Sequence, residues 1–257
     1  MTRVYLDWNA TAPLRTEARN AMGAAMDVCG NPSSIHLEGR AARKIVEHAR
    51  LQVAQALGAG SADIVFTSGA TEAAALALAE RGLHCAPVEH PCVTSWCKTT
   101  LPCDHKGKVT ISDPPRSALQ AANSETGVVQ DLPGDLGLCD FVQAVGKIPV
   151  TFERSRAAAG LLSAHKFGGP KGVGALLLQP GLQIEARQKG GGQELGRRSG
   201  TQNVIGIAGM GAAAEAALRD LEDGRMREVG DLRDFLESRL ADEAPKAVFI
   251  ARDAKRL

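Results

Sequence analysis

The clearest pattern in the chain is a helical spacing of apolar residues. Over 37–57, alanine, isoleucine, valine and leucine recur three or four positions apart, which predicts a long helix with one buried face that ends at two glycines. A helix is also predicted to start after Pro13 and to run to about position 26, because proline suits the first helical turn. An alanine-rich helix is predicted to begin after position 72, another alanine-rich helix over 203–221, and a further helix over about 225–240.

Short apolar runs bounded by glycine or turn residues predict buried strands. Such runs occupy 63–66, 157–162 and 173–178, and a last one occupies 247–251. The second and third runs flank a polar, glycine-rich bend, within the stretch LLSAHKFGGPKGVGALLL at 161–178. The chain therefore places a group of reactive side chains between two buried segments.

Composition limits the class of protein. The 257 residues are 44% hydrophobic and 23% charged, which predicts one large globular domain with at most a partial second one. A net charge of +1 gives no electrostatic case for nucleic acid or a membrane surface as partner. No apolar run approaches the ~20 residues of a membrane span, and the N-terminus lacks the apolar core of a signal peptide. We therefore expect a cytoplasmic protein.

The cysteines favour reduced thiols over a metal site or disulfides. None of the six belongs to a C-x-x-C pair, and no paired histidine spacing indicates zinc. A metal cluster on Cys92, Cys97 and Cys103 is the alternative. Reduced cytosolic thiols are the favoured interpretation.

Two segments carry candidate chemistry. In the bend at 163–166, Lys166 follows a strand beside Ser163 and His165, and a lysine whose pKa is lowered there can attack a carbonyl; the alternative is a β-turn whose lysines face solvent. At 67–72, TSGATE leads from a strand into a helix, which predicts an anion site at the helix N-terminus, or a simple cap by Ser68 or Thr71.

These motifs resemble a known family. SAHKFGGPKGVGAL resembles the segment of class V aminotransferases that binds pyridoxal phosphate (PLP), and specifically that of cysteine desulfurases serving iron–sulfur cluster assembly. YLDWNATAP, GNPSSIH, TSGATE, DFVQA and GGGQE with RRSGT resemble further family segments in family order. The resemblance implies that Lys166 holds PLP covalently, that Ser163 and His165 belong to the cofactor site, and that Lys171 belongs to the turn.

The resemblance also assigns the other parts of the cofactor. The phosphate is assigned to Gly69, Ala70 and Thr71. His90 is expected to stack on the ring and move protons, whereas without the resemblance it reads as a helix cap or a core residue. Asp140 is expected to face the pyridine nitrogen, the alternative being a solvated carboxylate at a strand end. Gln143 is expected to bond the phenolic oxygen.

Two assignments depend on segments that differ from the family or reach another subunit. ANSETG at 122–127 resembles a turn of the family that contains two consecutive asparagines. Ser124 stands at the place of the second asparagine, which leaves Asn123 as the residue for the cofactor's phenolic oxygen. The segment with RRSGT is expected to cross the interface of a homodimer, where Thr201 touches the partner's PLP phosphate.

The fold implied by the resemblance is α/β, the fold-type I architecture of PLP-dependent transferases. It has a mostly parallel sheet of seven-strand type with helices on both faces. The implied domains are an N-terminal segment at 1–13, a large PLP-binding domain at 14–221 and the start of a small C-terminal domain at 222–257. The connection at 130–139 is abnormally tight for parallel strands, so a locally remodelled sheet is expected there.

The implied function is conversion of L-cysteine to L-alanine, with the sulfur passed on as a persulfide to an acceptor or scaffold protein of cluster assembly. Another class V lyase or transaminase, such as a selenocysteine lyase, and a non-catalytic scaffold relative are the alternatives. The family continues beyond the position of Leu257 with the persulfide-forming cysteine and a substrate-binding arginine, and none of the six cysteines matches that position. We therefore expect residues 1–257 alone to be C-terminally incomplete relative to the family and to release little sulfide.

Overall fold

The computed structural model describes residues 3–257, and that part of the chain contains seven strands. In chain order they are β1 (Asp63–Thr67), β2 (His84–Cys85), β3 (Lys98–Thr99), β4 (Ala118–Gln120), β5 (Leu138–Asp140), β6 (Ala159–Ser163) and β7 (Gly174–Leu178). Five of them form a sheet in the order β1-β7-β6-β5-β4, and β2 pairs with β3. A parallel bridge from His84 to Ser117 joins the two sets next to β4. The joined layer therefore has seven strands.

Only β7 runs against its neighbours. It pairs antiparallel with β1 on one side and with β6 on the other, whereas β4–β5, β5–β6 and β2–β3 are parallel. The loop from β6 to β7 spans only 164–173, and a short loop returns the chain antiparallel, since a parallel neighbour needs a crossover of a dozen or more residues. The mostly parallel α/β fold predicted from the sequence is confirmed.

Helices cover both faces of the sheet. The helices are α1 (Thr16–Met26), α2 (Leu37–Ala56), α3 (Ala70–Leu78), α4 (Pro91–Thr94), α5 (Phe152–Ser155), α6 (Val204–Glu222) and α7 (Arg225–Glu243). Alternate strand residues point to opposite faces. In β1, Ile64 and Phe66 pack in a core with α1, α2 and α6, whereas Val65 packs in a second core with α3. The two buried cores thus lie on either side of the same strands.

Two predicted element boundaries differ from the structure. The helix expected to start just after Pro13 begins at Thr16. The predicted strand at 247–251 is wrong: 247–249 is irregular and 250–253 is a turn. Val248 and Ile250 are 86% and 67% exposed, and a strand needs a neighbour to satisfy its backbone. The proposed domain start at 222 coincides with the last residue of α6, and the first two residues of the segment 1–13 lie outside the described residues.

The tight connection between β4 and β5 leaves the strand pairing regular. Residues 121–137 form this connection and include no helix in the part of the chain that the structure describes. The connection doubles back on itself through a bridge from Ala122 to Val129. β4 and β5 remain in register, with Ala118 opposite Leu138. The sheet is therefore not remodelled at this point, contrary to the expectation, and only the connection itself is irregular.

A buried ion pair anchors the glycine-rich segment that follows β7. The carboxylate of Glu194 accepts hydrogen bonds from Arg50 at 3.0 and 3.2 Å, from the backbone N–H of Phe66 at 3.0 Å and from Gln202 at 3.0 Å. Its side chain is 1% exposed. Glu194 and its neighbour Leu195 both have positive φ, at 47° and 58°, so this anchor holds a backbone shape that residues other than glycine rarely adopt.

Glu194→Gln is expected to lower the free energy of unfolding by about 3–5 kcal/mol, because it leaves the Arg50 charge without its buried partner. Urea unfolding measures the change. Glu47→Gln is the matched control: Glu47 bonds the same guanidinium at 3.1 Å from a 55% exposed position, so the expected loss is below about 1 kcal/mol. Equal small losses in both variants would show that Glu194 does not anchor the segment.

Candidate active site

A cavity of about 610 Å³ opens where the carboxyl ends of several strands meet. β1, β5 and β6 all end at it, which is where ligands bind in open α/β sheets. Eleven of its lining residues come from the loop before α3, the start of α4, and the ends of β5 and β6: Ser68, Gly69, Ala70, Thr71, His90, Cys92, Asp140, Gln143, Ser163, His165 and Lys166. The structure therefore brings together nine of the eleven residues expected from the sequence to form the site.

Lys166 ends a short 3-10 turn directly after β6. Its Nζ donates to the backbone carbonyls of Asn9 at 2.5 Å and Ala10 at 3.1 Å. Burial lowers the pKa of Lys166, and the carboxylates of Asp140, Asp7 and Glu125 oppose that shift. The amine is thus half-buried in the cavity wall and nearer to its neutral, nucleophilic form than a surface lysine.

Asp140 is the last residue of β5 and is 7% exposed, so it is not a solvated carboxylate at a strand end. Its Oδ1 accepts the backbone N–H of Val142 at 2.8 Å. Burial raises the pKa of Asp140 to about 6, against the opposing effects of this hydrogen bond and of Lys166. A positively charged group in the cavity would favour its ionised form.

His90 serves as a helix cap and as a cavity wall at the same time. Its Nδ1 accepts the backbone N–H of Cys92 at 3.1 Å at the start of α4. Since an accepting ring nitrogen carries no proton, the neutral imidazole carries its proton on Nε2. Burial lowers the pKa of His90, and the charge on Lys166 lowers it further. His90 therefore caps α4 and also lines the cavity, so its prediction as a helix cap is compatible with its expected place in the cofactor site.

The loop before α3 leaves backbone N–H groups free for an anion. The N–H of Ser68 is bonded to Glu72 Oε2 at 2.7 Å, and Gly69 is the N-cap residue of α3. The expected caps by Ser68 or Thr71 are therefore wrong, since α3 has no side-chain cap. The first N–H groups of a helix have no partner within the helix, which leaves those at the start of α3 available to a phosphate.

Glycine at 174 lets this loop approach the sheet. A Cβ at Gly174, the first residue of β7, would lie 2.6 Å from the Cα of Gly69 and 2.6 Å from the carbonyl oxygen of Leu162. Any side chain at 174 would push the loop away from β7. The position of the free N–H groups over the cavity therefore depends on this close contact.

Two expected site residues do not line the cavity. Asn123 is 6% exposed and its Oδ1 accepts the backbone N–H groups of Glu125 and Thr126 at 2.9 and 2.8 Å. Its Nδ2 donates to the carbonyl of Val88 at 2.9 Å. The structure therefore commits the Asn123 amide to its own turn, and Ser124 is the residue of this turn that lines the cavity. Thr201 is exposed and lies outside the cavity wall.

The N-terminal turn lines part of the cavity, a role that the residue types in the turn do not predict. Ala10 and Thr11 line the cavity, and the Thr11 hydroxyl lies 3.2 Å from His165 Nδ1. The carbonyl of Asn9 accepts from Gln143 Nε2 at 3.0 Å as well as from Lys166. YLDWNATAP carries the family resemblance, but no residue type in it signals chemistry, because the contacts are made by backbone carbonyls.

The thiols make neither a metal site nor an obvious nucleophile. No group of three His, Cys, Asp or Glu residues within 3–257 is arranged to hold a metal ion, so the structure does not support a cluster on Cys92, Cys97 and Cys103. Cys92 is the one cysteine among the described lining residues, and burial raises its pKa to about 12. At neutral pH it is a thiol, whereas the thiolate is the nucleophile.

The residues present fit PLP. The cavity has room for a molecule of that size, and it offers an amine of lowered pKa, a buried carboxyl group and free N–H groups at a helix start. These match the aldehyde, the ring nitrogen and the phosphate of the cofactor in chemical type. PLP is accordingly the expected cofactor.

Comparisons with known proteins show the family to which this chain is similar. The aminotransferase class-V family matches residues 4–94 and 110–254. Cysteine desulfurase IscS of Dictyoglomus turgidum is 38% identical over 279 residues, covering 93% of this chain and 71% of that protein. A cysteine desulfurase of Klebsiella pneumoniae is 38% identical over 290 residues, covering 100% and 72%.

Solved structures give the same result. A NifS-like protein from Rickettsia africae matches with a TM-score of 0.90 at 29% identity, covering 100% of this chain and 79% of its own. SspA in complex with cysteine matches with a TM-score of 0.74 at 30% identity, covering 83% and 72%. Residues 3–257 contain no helix that is both long and apolar enough to span a membrane.

Proposed function

This chain belongs to the class-V aminotransferase family, and from that premise we propose that it is a PLP-dependent cysteine desulfurase. The observation that carries the proposal is that Lys166, Asp140 and His90 line one cavity, where burial lowers the pKa of Lys166 and of His90 and raises that of Asp140. Desulfurase relatives with 38% identity over nearly the whole chain support the choice of L-cysteine as substrate.

Five parts of the chain would hold the cofactor. Lys166 would bond its aldehyde carbon, Asp140 would face its ring nitrogen, Gln143 would donate to its phenolic oxygen, His90 would lie against its ring, and 69–71 would hold its phosphate. Bound PLP supplies an electron sink for negative charge that develops beside the substrate amino group. We assign these roles from the resemblance and from the positions of the residues around the cavity.

The chain's own groups supply the proton transfers. Burial keeps a larger share of Lys166 neutral, so its amine can take a proton from a substrate carbon. His90 carries its proton on Nε2, with Nδ1 fixed by the Cys92 N–H, and can give that proton to a leaving group. The buried carboxylate of Asp140 balances positive charge on the ring side of the cavity.

The overall reaction transfers sulfur from L-cysteine to a thiol. The carbon–sulfur bond of cysteine breaks, a sulfur–sulfur bond forms on the accepting thiol, and the carbon takes a proton to give L-alanine. Sulfur is oxidised and carbon is reduced, so no other oxidant is needed. We further propose that the protein acts in the cytoplasm and passes sulfur to an acceptor or scaffold protein of iron–sulfur cluster assembly. Six unpaired cysteines are in keeping with a reducing compartment.

A second candidate function has one observation in its favour. Cys92 is the only described cavity thiol and is protonated at neutral pH, which suits a relative that binds PLP without sulfur transfer by its own cysteines. Production of sulfide and alanine from L-cysteine, measured at known PLP occupancy with an added thiol, tests the choice. Equal amounts of alanine and transferred sulfur would support the desulfurase. PLP binding without either product would support the second candidate.

Cys92→Ser is expected to leave sulfide release by residues 1–257 within about twofold of the parent chain, because a thiol with a pKa of about 12 contributes almost no thiolate at neutral pH. The same assay measures it. Cys29→Ser, at an exposed position outside the cavity wall, is the control for general effects of a cysteine substitution. Loss of most activity in Cys92→Ser alone would identify Cys92 as the sulfur acceptor.

We also propose a homodimer with shared sites, supported by the exposure of Thr201 and by the anchoring of its segment through Glu194. Co-expression of Lys166→Ala subunits with Thr201→Ala subunits, under separate affinity tags, is expected to restore one site that retains PLP tightly in each mixed dimer. That site combines an intact Lys166 with an intact Thr201 from the other subunit. Absence of this rescue would assign Thr201 to its own subunit or to no site.

A further inference from the structure

A second lysine lies behind the cavity wall, in the turn that follows β5. Lys147 is half-buried, and its Nζ donates to Asn9 Oδ1 at 3.1 Å and to Gln143 Oε1. Gln143 in turn donates through Nε2 to the carbonyl of Asn9 at 3.0 Å. These three residues therefore form a closed set of hydrogen bonds, of which only Gln143 lines the cavity.

Lys147 fixes the direction of the Gln143 amide. An ammonium group has only donors, so the group that faces it must be the amide oxygen. The NH₂ group then points the other way, where one N–H is bonded to Asn9 and the second stays free. Gln143 therefore presents an N–H donor to the cavity rather than its amide oxygen.

The N-terminal turn that contains Asn9 connects Lys147 to Lys166. The carbonyl of Asn9 accepts from Lys166 Nζ at 2.5 Å, while the side chain of Asn9 accepts from Lys147. One residue therefore sets the positions of both ammonium groups. Removal of Lys147 would leave Oδ1 of the half-buried Asn9 and Oε1 of the buried Gln143 without their donor.

The two lysines also repel each other's charge. Burial lowers the pKa of Lys147 to about 8, and the charge on Lys166 contributes to that shift. A pair interaction is reciprocal, so a charged Lys147 disfavours the charged form of Lys166. The groups that act in the opposite direction on Lys166 are the carboxylates of Asp140, Asp7 and Glu125. The nearby imidazoles, His90 and His165, have lowered pKa values and are neutral at physiological pH.

We propose that Lys147 is a positioning residue of this site: it aims the NH₂ group of Gln143 into the cavity, steadies the Asn9 turn and keeps the amine of Lys166 in its reactive form. The inference rests on the proposed PLP site. It does not depend on which amino acid the enzyme consumes.

The rate at which the cofactor-free full chain takes up PLP, followed by absorbance across pH, tests the proposal without any turnover of cysteine. For Lys147→Met we expect uptake roughly tenfold slower at neutral pH, because the uncharged side chain no longer disfavours the ammonium form of Lys166. The difference should vanish at alkaline pH, where Lys147 of the parent chain is itself neutral. Lys147→Arg, which keeps the charge, should retain most of the neutral-pH rate.

Lys108→Met is the matched control, because Lys108 also makes two hydrogen bonds, to Val129 and Asp131, but lies outside the cavity wall. Its pH profile should equal that of the parent chain. Lys147→Gln keeps a hydrogen-bond donor but removes the charge, so its pH profile should equal that of Lys147→Met. It takes the place of Lys147→Met if the methionine variant does not fold. A parent-like profile in the uncharged variants, or an arginine variant as slow as they are, would overturn the proposal. A parent chain that takes up no PLP would instead overturn the proposed function.

Discussion

Lys166→Ala is expected to abolish covalent capture of PLP and to lower the rate of cysteine turnover by at least 10²–10⁴-fold, the range typical of a lost acid–base group. The physical reason is the position of the amine. Lys166 follows β6 at the cavity, its Nζ is bonded to the carbonyls of Asn9 and Ala10 in the N-terminal turn, and burial lowers its pKa. Alanine provides neither the bond to the aldehyde nor the base.

Borohydride reduction of the PLP-loaded protein, followed by proteolysis and mass spectrometry, locates the bond. We expect the label on the peptide that contains Lys166 and none on this peptide in the alanine variant. Lys171→Ala is the control, since Lys171 also lies at the cavity but five positions farther along the turn, and it should keep the label on Lys166. A label on Lys171 or Lys147, or no label on a folded and loaded sample, would contradict the assignment.

Asp140→Asn is expected to raise the stability of the cofactor-free protein above pH 6 while it lowers the activity of the loaded protein. In the cofactor-free protein the pKa of Asp140 is raised to about 6, so folding disfavours its ionised form. The stability of the parent chain therefore falls as pH rises from about 4 to about 6, and above that it carries a constant cost on the order of 3 kcal/mol. Asparagine carries no such cost, so the cofactor-free variant should be more stable above pH 6 and similar to the parent below about pH 4.

Activity should change in the opposite direction. Without a carboxylate beside the ring nitrogen, the charge that develops in the reaction loses its main support from the protein, and we expect a loss of roughly 10²–10³-fold in turnover. Urea unfolding of the cofactor-free protein at two pH values, and the alanine assay of the loaded protein, measure the two effects. Glu89→Gln is a useful comparison, because Glu89 is also a buried carboxyl of raised pKa but lies outside the cavity wall. An asparagine variant that is less stable above pH 6 would contradict the burial argument.

The sequence predicted those elements whose signals are local. α2 spans Leu37–Ala56 as the apolar spacing indicates, and β7 begins at Gly174, one residue after the predicted run. The run at 247–251 has the composition of a strand but no neighbour, and pairing is not visible in a single segment. Nine site residues were found because they sit in recognisable motifs. Asn9 and Lys147 were missed because their contacts join distant parts of the chain through a carbonyl and an amide orientation.

Asn123 shows the limit of transferring a role by motif. The motif predicted the residue type but not the turn, in which two backbone N–H groups bond to its side-chain oxygen. Such local bonds form within four residues and cost little ordering, so they compete well with a distant ligand. Ser124 is the residue of this turn that lines the cavity instead.

The antiparallel strand β7 has a consequence for the order in which the protein folds. It pairs with β6 across a ten-residue loop, and such local pairings close quickly, whereas its pairing with β1 must bring together segments far apart in the sequence. Lys166 belongs to the early hairpin, and the loop before α3 belongs to the late partner. An intermediate in refolding would therefore contain the amine of Lys166 in place, but not yet the loop before α3 that would hold the phosphate. In time-resolved refolding, tight PLP retention should appear only with the slowest phase, after the hairpin has formed.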